Sequence, residues 1–292
     1  ELDPRDLGRI DAQKARQILV QKLRDAEREN LYAEFKEKEG ELVFGVVQRI
    51  EGSTVVVDLE RVEGIIPRSE QVPKESYKRG EPLKCYVLRV DQTPRGPLIV
   101  LSRTHPGLVA RLFEAEVPEI EEGLVRIVGI VREPGERSKV AVLATEENID
   151  PVGTFVGIKG SRVQDVVREL RGEKIDILEW SPDPATFVAN ALSPAKVSRV
   201  ILDEDAKIAR VIVPDDQLSL AIGRRGQNAR LAAKLTGWKI DIKSESQIKE
   251  GGLKELIAKA LFKDEEEGAE ERPEEAQAEA AEGGDEAEKG SD

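Results

Sequence analysis

The sequence has few of the residues from which catalytic and metal sites are usually built. One of its 292 residues is cysteine, Cys85, and one is histidine, His105. A single cysteine cannot form an intrachain disulfide, and no residues have the spacing of a metal-ligand cluster. A nucleophile elbow and a Walker phosphate loop are also absent. We therefore predict a protein that is not an enzyme and that has no catalytic residue, metal or cofactor.

Long apolar runs are missing as well. No stretch approaches the roughly 18 apolar residues of a membrane helix, and the first residues do not form a signal peptide. We therefore predict a cytoplasmic protein without membrane contacts. The chain begins at Glu1 rather than Met, and nothing before Asp11 resembles a natural start. We interpret this as the sequence of a longer protein from which most of an N-terminal domain has been removed or is not covered.

The net charge of −13 is concentrated at one end. Residues 264–292 hold 14 acidic and 2 basic side chains, so the rest of the chain is close to neutral. That segment is rich in Glu, Ala and Gly, a composition that buries too little apolar surface to fold. Within residues 251–292 we predict an amphipathic helix at residues 253–263 and then a disordered acidic tail. The tail is either a solubilising segment or an electrostatic competitor for a basic RNA site.

The first third of the chain predicts a helix and then a strand-rich region. Residues 12–35 place apolar side chains along one stripe of a helix, which we assign to a linker within residues 1–38. Glycines mark the breaks in residues 39–104. Five short antiparallel strands with such turns are typical of a closed barrel of OB type, and another small β-barrel is the alternative. The predicted strands are residues 42–49, 54–59, 64–67, 83–91 and 98–101.

The next two segments, residues 105–182 and 183–250, share one order of elements. Each predicts a helix, two strands, two helices and a final strand. A Gly-x-x-Gly loop separates the paired helices, and a Lys-Ile-Asp-Ile strand follows at residues 174–177 and 239–242. With 24 glycines in the chain, chance alone produces about two Gly-x-x-Gly patterns. The evidence for a repeat is therefore the matched order around the loops rather than the motif.

Both loops have the chemistry of a phosphate contact. Glycine has no Cβ, so a phosphodiester can approach the backbone, and the following helix presents N–H groups and a partial positive charge. The side chains between the glycines project outward, and cations there attract phosphates. Bases would lie between the loop and the Ile-Asp-Ile strand, where their edges can be recognised. The alternative is a tight helix–helix turn with solvated basic residues.

We predict that sixteen residues bind RNA, eight from each unit. Arg162, Gln227 and Asn228 open the second helices, either as capping or surface residues or as phosphate and ribose contacts. The first unit contributes Gly157, Ile158, Lys159, Gly160, Ser161, Arg162, Ile175 and Ile177, and the second contributes Gly223, Arg224, Arg225, Gly226, Gln227, Asn228, Ile240 and Ile242.

These motifs together resemble known RNA-binding families. The α-β-β-α-Gly-x-x-Gly-α-β order resembles the type II KH domain. The strand-rich region resembles the S1 domain at residues 45–50 (GVVQRI), 57–59 (VDL), 63–67 (EGIIP) and 101–103 (LSR). An S1 domain followed by two tandem KH domains resembles the NusA family of bacterial transcription factors, over roughly residues 1–250. The implied fold is multidomain α+β, with an OB-type barrel, two type II KH domains, a linker helix and a disordered acidic tail.

The resemblance also implies partners. NusA-like proteins bind nascent RNA and RNA polymerase, promote pausing and termination, and join antitermination complexes. Their N-terminal domain holds the polymerase, and only its last helix is expected in this sequence. We therefore predict that a monomeric chain binds single-stranded nascent RNA, with RNA polymerase and other termination and antitermination factors as further partners.

The barrel departs from the S1 pattern. Barrels of this class stack bases on exposed aromatics, but residues 53–57 (STVVV) include none, and Pro67 stands where a histidine is common. We therefore predict weak RNA binding by the barrel, through Arg68, Lys84, Arg89 and Arg103 at most; an ordinary solvated face is the alternative. Two other functions stay open: a protein–protein adaptor with structural KH folds, and an RNA-binding module of another RNA-processing complex.

Overall fold

The computed structural model describes residues 4–94 and 96–249, with side chains from residue 12 onward. These residues form a long helix, a closed β-barrel and two three-stranded sheets that carry helices. The fold is therefore the multidomain α+β arrangement predicted from the sequence. The predicted helix and acidic tail at residues 251–292 lie outside the described residues. None of the described helices combines the length and apolar character needed to cross a membrane.

Helix α1 (Pro4–Glu37) leads into the barrel and is longer at both ends than the sequence predicts. Its last turns pack against the barrel, where Phe35 is buried and Leu31 and Tyr32 are partly buried. The apolar stripe nearer its start faces solvent, since Leu23 is 70% exposed. The helix is thus joined to the barrel through its C-terminal half.

Five strands form the barrel: β1 (Leu42–Glu51), β2 (Thr54–Asp58), β3 (Glu63–Ile66), β4 (Pro82–Thr93) and β5 (Gly96–Ser102). They close in the order β1-β2-β3-β5-β4, and their interior is filled by apolar residues such as Val47, Val57 and Ile66. All neighbouring strands are antiparallel except β3 and β5, which are parallel. The prediction of antiparallel strands is wrong for this pair, because a closed ring with an odd number of strands cannot alternate direction throughout.

The first KH domain contains α2 (Pro106–Glu116), β6 (Val125–Glu133), β7 (Arg137–Ala144), α3 (Pro151–Val156), α4 (Ser161–Glu169) and β8 (Lys174–Glu179). Strand β7 is central, antiparallel to β6 and parallel to β8. Phe113 of α2, Phe155 of α3 and Val166 of α4 are buried together beside this sheet. The edge strand β8 contacts both α3 and α4, the helices on either side of the first Gly-x-x-Gly loop.

The second KH domain repeats this order with α5 (Pro184–Ala191), β9 (Arg199–Asp203), β10 (Ile208–Val213), α6 (Leu218–Ile222), α7 (Gln227–Thr236) and β11 (Lys239–Ser244). Its sheet has the order β11-β10-β9, with β10 parallel to β11. The register is also repeated, since Val211 pairs with Ile242 as Val140 pairs with Ile177 in the first domain. The sequence repeat is therefore a repeat of structure.

A buried ion cluster joins the barrel to the first KH domain. Arg103 is fully buried, and its Nη2 lies 2.6 Å from Oε1 of Glu75 while its Nε lies 3.0 Å from Oε2 of the same residue. Arg103 also donates to the carbonyl oxygens of Lys84 and Glu169. The prediction of Arg103 as a surface RNA contact is therefore wrong. The junction depends on both partners, because removing either one would leave an uncompensated buried charge.

A second junction joins the two KH domains. Lys139 of β7 is fully buried, and its Nζ lies 3.2 Å from Oδ2 of Asp176 and 2.8 Å from the carbonyl oxygen of Ser193, which precedes β9. Burial lowers the pKa of Lys139, and the nearby Asp176 carboxylate opposes that shift. Ala141 of the same strand packs in one apolar cluster with Val188 of the second domain. Ala141 and Leu178 of the first KH domain thus pack into the apolar core of the second.

Candidate nucleic-acid interface

The two Gly-x-x-Gly loops have nearly the same backbone conformation. Gly157 has φ 74° and ψ 175°, and Gly223 has φ 74° and ψ 171°. This region of backbone conformation is essentially restricted to glycine. The third residue of each loop also has a positive φ, 53° for Lys159 and 55° for Arg225. The matched sequences therefore produce two copies of one turn.

The glycines of each loop have different roles. A Cβ on Gly157 would lie 2.8 Å from Cγ of Arg162, and one on Gly223 would lie 2.9 Å from the backbone nitrogen of Asn228. The first glycine is therefore needed for the close approach of the next helix. A Cβ on Gly226 would meet nothing within 4 Å. The backbone at this second glycine is open to a ligand.

The first loop is exposed to solvent. Ile158 is 85% exposed, and Lys159 and Ser161 are exposed as well. The cleft beside the loop has a volume of about 650 Å³ and is lined by residues of the first KH domain, among them Glu119 and Asp150. The loop therefore offers one cation, next to a cleft with carboxylates at its edge.

The second loop offers two cations. Arg224 and Arg225 are both exposed, and within the described ranges neither guanidinium has a hydrogen-bond or ion-pair partner. Gln227, at the start of α7, donates a 2.7 Å hydrogen bond from Nε2 to Oε2 of Glu133 in the first KH domain. This loop therefore faces a neighbouring domain, whereas the first loop faces its own.

Arg162 and Asn228 hold their loops through equivalent contacts. The residues occupy matching positions, 66 apart in sequence. Arg162 donates from Nη1 to the carbonyl oxygen of Thr154 at 2.8 Å, and Asn228 donates from Nδ2 to that of Leu220 at 3.3 Å. Both acceptors lie in the helix before the loop. Each side chain thus ties the helix that follows its loop to the helix that precedes it.

Asn228 has no surface left for an RNA contact. It is 1% exposed, and its Nδ2 also donates to the carbonyl oxygens of Leu192 and Ala221. The prediction of a ribose or phosphate contact is therefore wrong for Asn228, because the amide is used to satisfy buried carbonyls. Arg162 is partly exposed, and its Nη1 lies 3.0 Å from Oε1 of Glu119. A phosphate contact there would compete with that carboxylate.

The predicted base-contacting isoleucines lie on edge strands. Ile175 and Ile177 are partly buried on β8, and Ile240 and Ile242 are partly buried on β11. Each pair packs against its domain's apolar core. Each pair therefore has apolar surface beside its loop, where the flat face of a base could lie.

The structure brings residues of three domains together at the second loop. A cleft of about 400 Å³ is lined by Arg224 of the second KH domain, Arg137 and Lys174 of the first, and Lys74 of the barrel. Lys174 begins β8, so the second loop adjoins the strand of the first domain that is predicted to contact bases. Sequence reasoning missed Lys74 and Arg137, because nothing local connects them with a Gly-x-x-Gly motif.

The four barrel cations that were predicted to contact RNA lie in four different environments. Arg68 is exposed, and Lys84 lines a cleft of about 270 Å³ between the barrel and the first KH domain. Arg89 is exposed, and its Nε lies 2.9 Å from Oδ2 of Asp91. Arg103 is buried. The structure therefore does not assemble these four residues into one site.

The barrel does present an aromatic ring that sequence reasoning missed. Phe44 is 62% exposed on β1 and pairs across the ladder with Lys84 of β4. Strand alternation could have identified it, because buried Gly45 and Val47 imply that Phe44 faces outward. An exposed ring beside a cation is the usual composition of a base-stacking surface.

The residues most often used in catalysis have structural roles here. Cys85 is buried in the barrel, and burial raises the pKa of its thiol to about 12. His105 precedes α2, where its Nδ1 accepts a 3.0 Å hydrogen bond from the backbone N–H of Gly107. In the described part of the chain, no group of three or more His, Cys, Asp or Glu residues could hold a metal ion.

Four family models match this sequence. The S1 RNA binding domain matches residues 36–102, the NusA-like first KH domain matches residues 103–180, and the NusA-like second KH domain matches residues 184–250. The NusA N-terminal domain matches residues 1–29. The three domains of the described fold are therefore each matched by a separate model.

Curated relatives match across these domains. The transcription termination/antitermination protein NusA of Bacillus subtilis is 52% identical over 253 residues, which is 87% of this chain and 68% of the relative. That of Halalkalibacterium halodurans is 53% identical over 255 residues, 87% of this chain and 67% of the relative. That of Thermus thermophilus is 47% identical over 260 residues, 89% of this chain and 66% of the relative. The matches span about two thirds of these relatives.

Proposed function

This chain belongs to the NusA family of transcription termination/antitermination proteins, and from that premise we propose that it is a non-catalytic RNA-binding transcription factor. Its two KH domains bind single-stranded nascent RNA, with phosphates at the Gly-x-x-Gly loops and bases beside β8 and β11. RNA polymerase and other termination and antitermination factors are its further partners, and the barrel adds a weaker RNA contact.

The observation that supports RNA binding most directly is the matched pair of loops. Each loop has a glycine backbone that a phosphodiester can approach, and its exposed cations are Lys159 in one and Arg224 and Arg225 in the other. Each is followed by a helix whose first N–H groups favour an anion. An adaptor with structural KH folds would not need these cations to be exposed.

Charge reversal in the loops tests the proposal. The affinity for a fluorescein-labelled 20-nucleotide single-stranded RNA would be measured by anisotropy at several salt concentrations. We expect Arg224→Asp combined with Arg225→Asp to weaken binding about 100-fold at low salt, and Lys159→Asp about tenfold, because phosphate contacts dominate nucleic-acid affinity. The slope of log affinity against log salt becomes less steep in both.

Two matched variants control for the loss of cationic charge. Arg126 lies on β6 and Arg199 lies on β9, the sheet edges opposite to β8 and β11, and both side chains are exposed. The control variants are Arg126→Asp and Arg199→Asp. We expect each to change affinity less than about twofold. Unchanged RNA affinity in all loop variants, with folding intact by circular dichroism, would sink the RNA-binding proposal.

Polymerase binding is tested separately. The chain would be mixed with core RNA polymerase from a bacterial transcription system and analysed by size-exclusion chromatography, with and without nascent RNA. Co-elution supports the wider proposal. RNA binding without co-elution, and without any effect on pausing or termination in a single-round transcription assay, would restrict this chain to RNA binding.

A further inference from the structure

A second cleft at this loop, next to the one of about 400 Å³, is lined by four cations, of which the loop itself supplies two. Its volume is about 350 Å³, and it lies between the barrel, the turn that joins β6 to β7, and the start of α7. Six charged side chains line it: the cations Lys74, Arg224, Arg225 and Arg230, and the carboxylates Glu133 and Glu136. Of these cations, Lys74 comes from the barrel.

Two of the four cations are already paired with carboxylates, one at the end of β6 and one in the turn that follows it. Nε of Arg230 lies 2.8 Å from Oε1 of Glu133, and Lys74 forms an ion pair with Glu136. Arg224 and Arg225 have no such partner within residues 12–94 and 96–249. The cleft thus combines two unpaired guanidinium groups with a lysine held by a carboxylate.

Buried contacts hold the turn between β6 and β7, residues 134–136, in place. The buried carboxylate of Glu173 accepts hydrogen bonds from the backbone N–H of Gly135 at 2.7 Å, from Oγ of Ser138 at 2.6 Å and from Nε of Arg132 at 2.9 Å. A Cβ on Gly135 would lie 2.5 Å from Cγ1 of Val72 in the barrel. Because the backbone of the turn is held by these contacts, rotation of its side chain is the simplest way for Glu136 to leave the cleft.

The Lys74–Glu136 ion pair is weak enough for another anion to replace the carboxylate. The side chain of Lys74 is 62% exposed and that of Glu136 is 50% exposed. Exposed ion pairs are weak, since water screens both charges. The pKa of Glu136 is lowered by the hydrogen bond from Lys74 and also by attraction to Lys74, Arg224 and Arg225. Its carboxylate therefore lies in the field of the same cations that an RNA phosphate would use.

Building on the proposed function, we propose that Lys74 is a further RNA-binding residue and that Glu136 is an internal competitor at the second KH loop. Without RNA, the Glu136 carboxylate holds Lys74 and partly neutralises Arg224 and Arg225. When RNA binds, a phosphodiester replaces that carboxylate beside the three cations. A barrel residue thereby completes the site of the second KH domain.

A double-mutant cycle tests the exchange, in the same anisotropy assay. We expect Glu136→Gln to tighten RNA binding about threefold and to steepen the salt dependence, because it removes a negative charge and releases Lys74. Lys74→Gln weakens binding about threefold and reduces the salt slope by about 0.7, the value for one phosphate contact on a single strand. Because Glu136→Gln acts partly through Lys74, its gain falls below about twofold in the double variant.

The chain offers a matched control for the lost carboxylate. Glu204 is exposed in the turn that joins β9 to β10, the counterpart in the second domain of the turn that contains Glu136. Glu204→Gln removes the same charge, and we expect affinity to change less than about 1.5-fold. An equal gain from Glu204→Gln would assign the effect to net charge and overturn the proposed competition.

The outcomes separate this inference from the proposed function. If Arg224→Asp with Arg225→Asp abolishes binding while Glu136→Gln and Lys74→Gln change nothing, RNA binding stands and the exchange is wrong. If the arginine variants retain full affinity, the RNA site itself is wrong at this loop. Crosslinking of a short RNA to Lys74 in the wild type, increased in Glu136→Gln, supports the exchange; its absence in both counts against Lys74 as a contact.

Discussion

The two Gly-x-x-Gly loops share their backbone but not their surroundings. Gly157 and Gly223 have almost the same φ and ψ, and each loop is closed by a side chain that returns to the preceding helix. The first loop lies beside a cleft of its own domain, whereas the second faces a turn of another domain and a lysine of the barrel. A repeated sequence thus specifies a repeated turn, while domain packing gives each copy different electrostatics.

The largest expected difference between the loops concerns their first glycines. At both, alanine would adopt a glycine-only conformation at a cost of about 1–3 kcal/mol. In Gly223→Ala the new Cβ would also meet backbone nitrogen of Asn228, whereas in Gly157→Ala it would meet the flexible side chain of Arg162. We expect Gly223→Ala to lower the free energy of unfolding by about 3–4 kcal/mol and Gly157→Ala by about 1–2 kcal/mol. Urea unfolding followed by tryptophan fluorescence measures both.

Gly226→Ala provides the control for this pair. Its Cβ would meet nothing within 4 Å, so the variant reports the cost of a positive φ alone. That cost is about 1 kcal/mol. Equal losses in Gly157→Ala and Gly223→Ala would contradict the inferred difference in packing.

The next largest difference is expected between Asn228 and Arg162, the side chains that tie each loop to the helix before it. Asn228→Ala removes the amide that donates to three carbonyl oxygens. We expect this substitution to lower the free energy of unfolding by about 2 kcal/mol. Arg162 is partly exposed, so water can replace its contacts, and we expect Arg162→Ala to cost about 1 kcal/mol or less. A larger loss in Arg162→Ala than in Asn228→Ala would reverse this assignment.

A single substitution should bring the first loop closer to the second in RNA affinity. Ile158 occupies the position of Arg224 and is 85% exposed. Ile158→Arg adds a cation without removing buried packing, so we expect RNA affinity to rise about fivefold and the salt slope to steepen by about 0.7. Ile158→Gln controls for the loss of the apolar side chain. Equal affinities in the two variants would mean that RNA phosphates do not approach this position.

The smallest effect is expected in the barrel. Phe44 is 62% exposed on β1, and stacking of a base on an aromatic ring contributes about 1 kcal/mol at the low end of its usual range, which is about fivefold in affinity. We expect Phe44→Ala to weaken RNA binding by about fivefold or less, with an unchanged unfolding midpoint. A loss greater than that of Lys159→Asp would show that the barrel, rather than the first KH loop, makes the stronger contact.

The burial of some polar side chains that were predicted to contact RNA could not be found in the sequence. The hydropathy pattern marks Arg103 as a cation after a strand, but its burial depends on Glu75 and Glu169, 28 and 66 residues away. The same limitation applies to Asn228, whose amide meets a carbonyl 36 residues away. A polar side chain is buried when distant partners compensate its desolvation, and local sequence does not reveal those partners.

The sequence by itself determined the repeated α-β-β-α-α-β order, the strands of the barrel and the position of both Gly-x-x-Gly loops. These features depend on hydrophobic periodicity and on glycine conformations, which act within about 30 residues. Only the tertiary structure decided which charges surround each loop. Lys74, Glu136 and Arg224 come from three domains, and their approach follows from the buried contacts of Arg103 and Lys139 at the domain junctions and of Glu173 within the first KH domain. Electrostatic interactions depend on distance in space, which the order of residues along the chain does not supply.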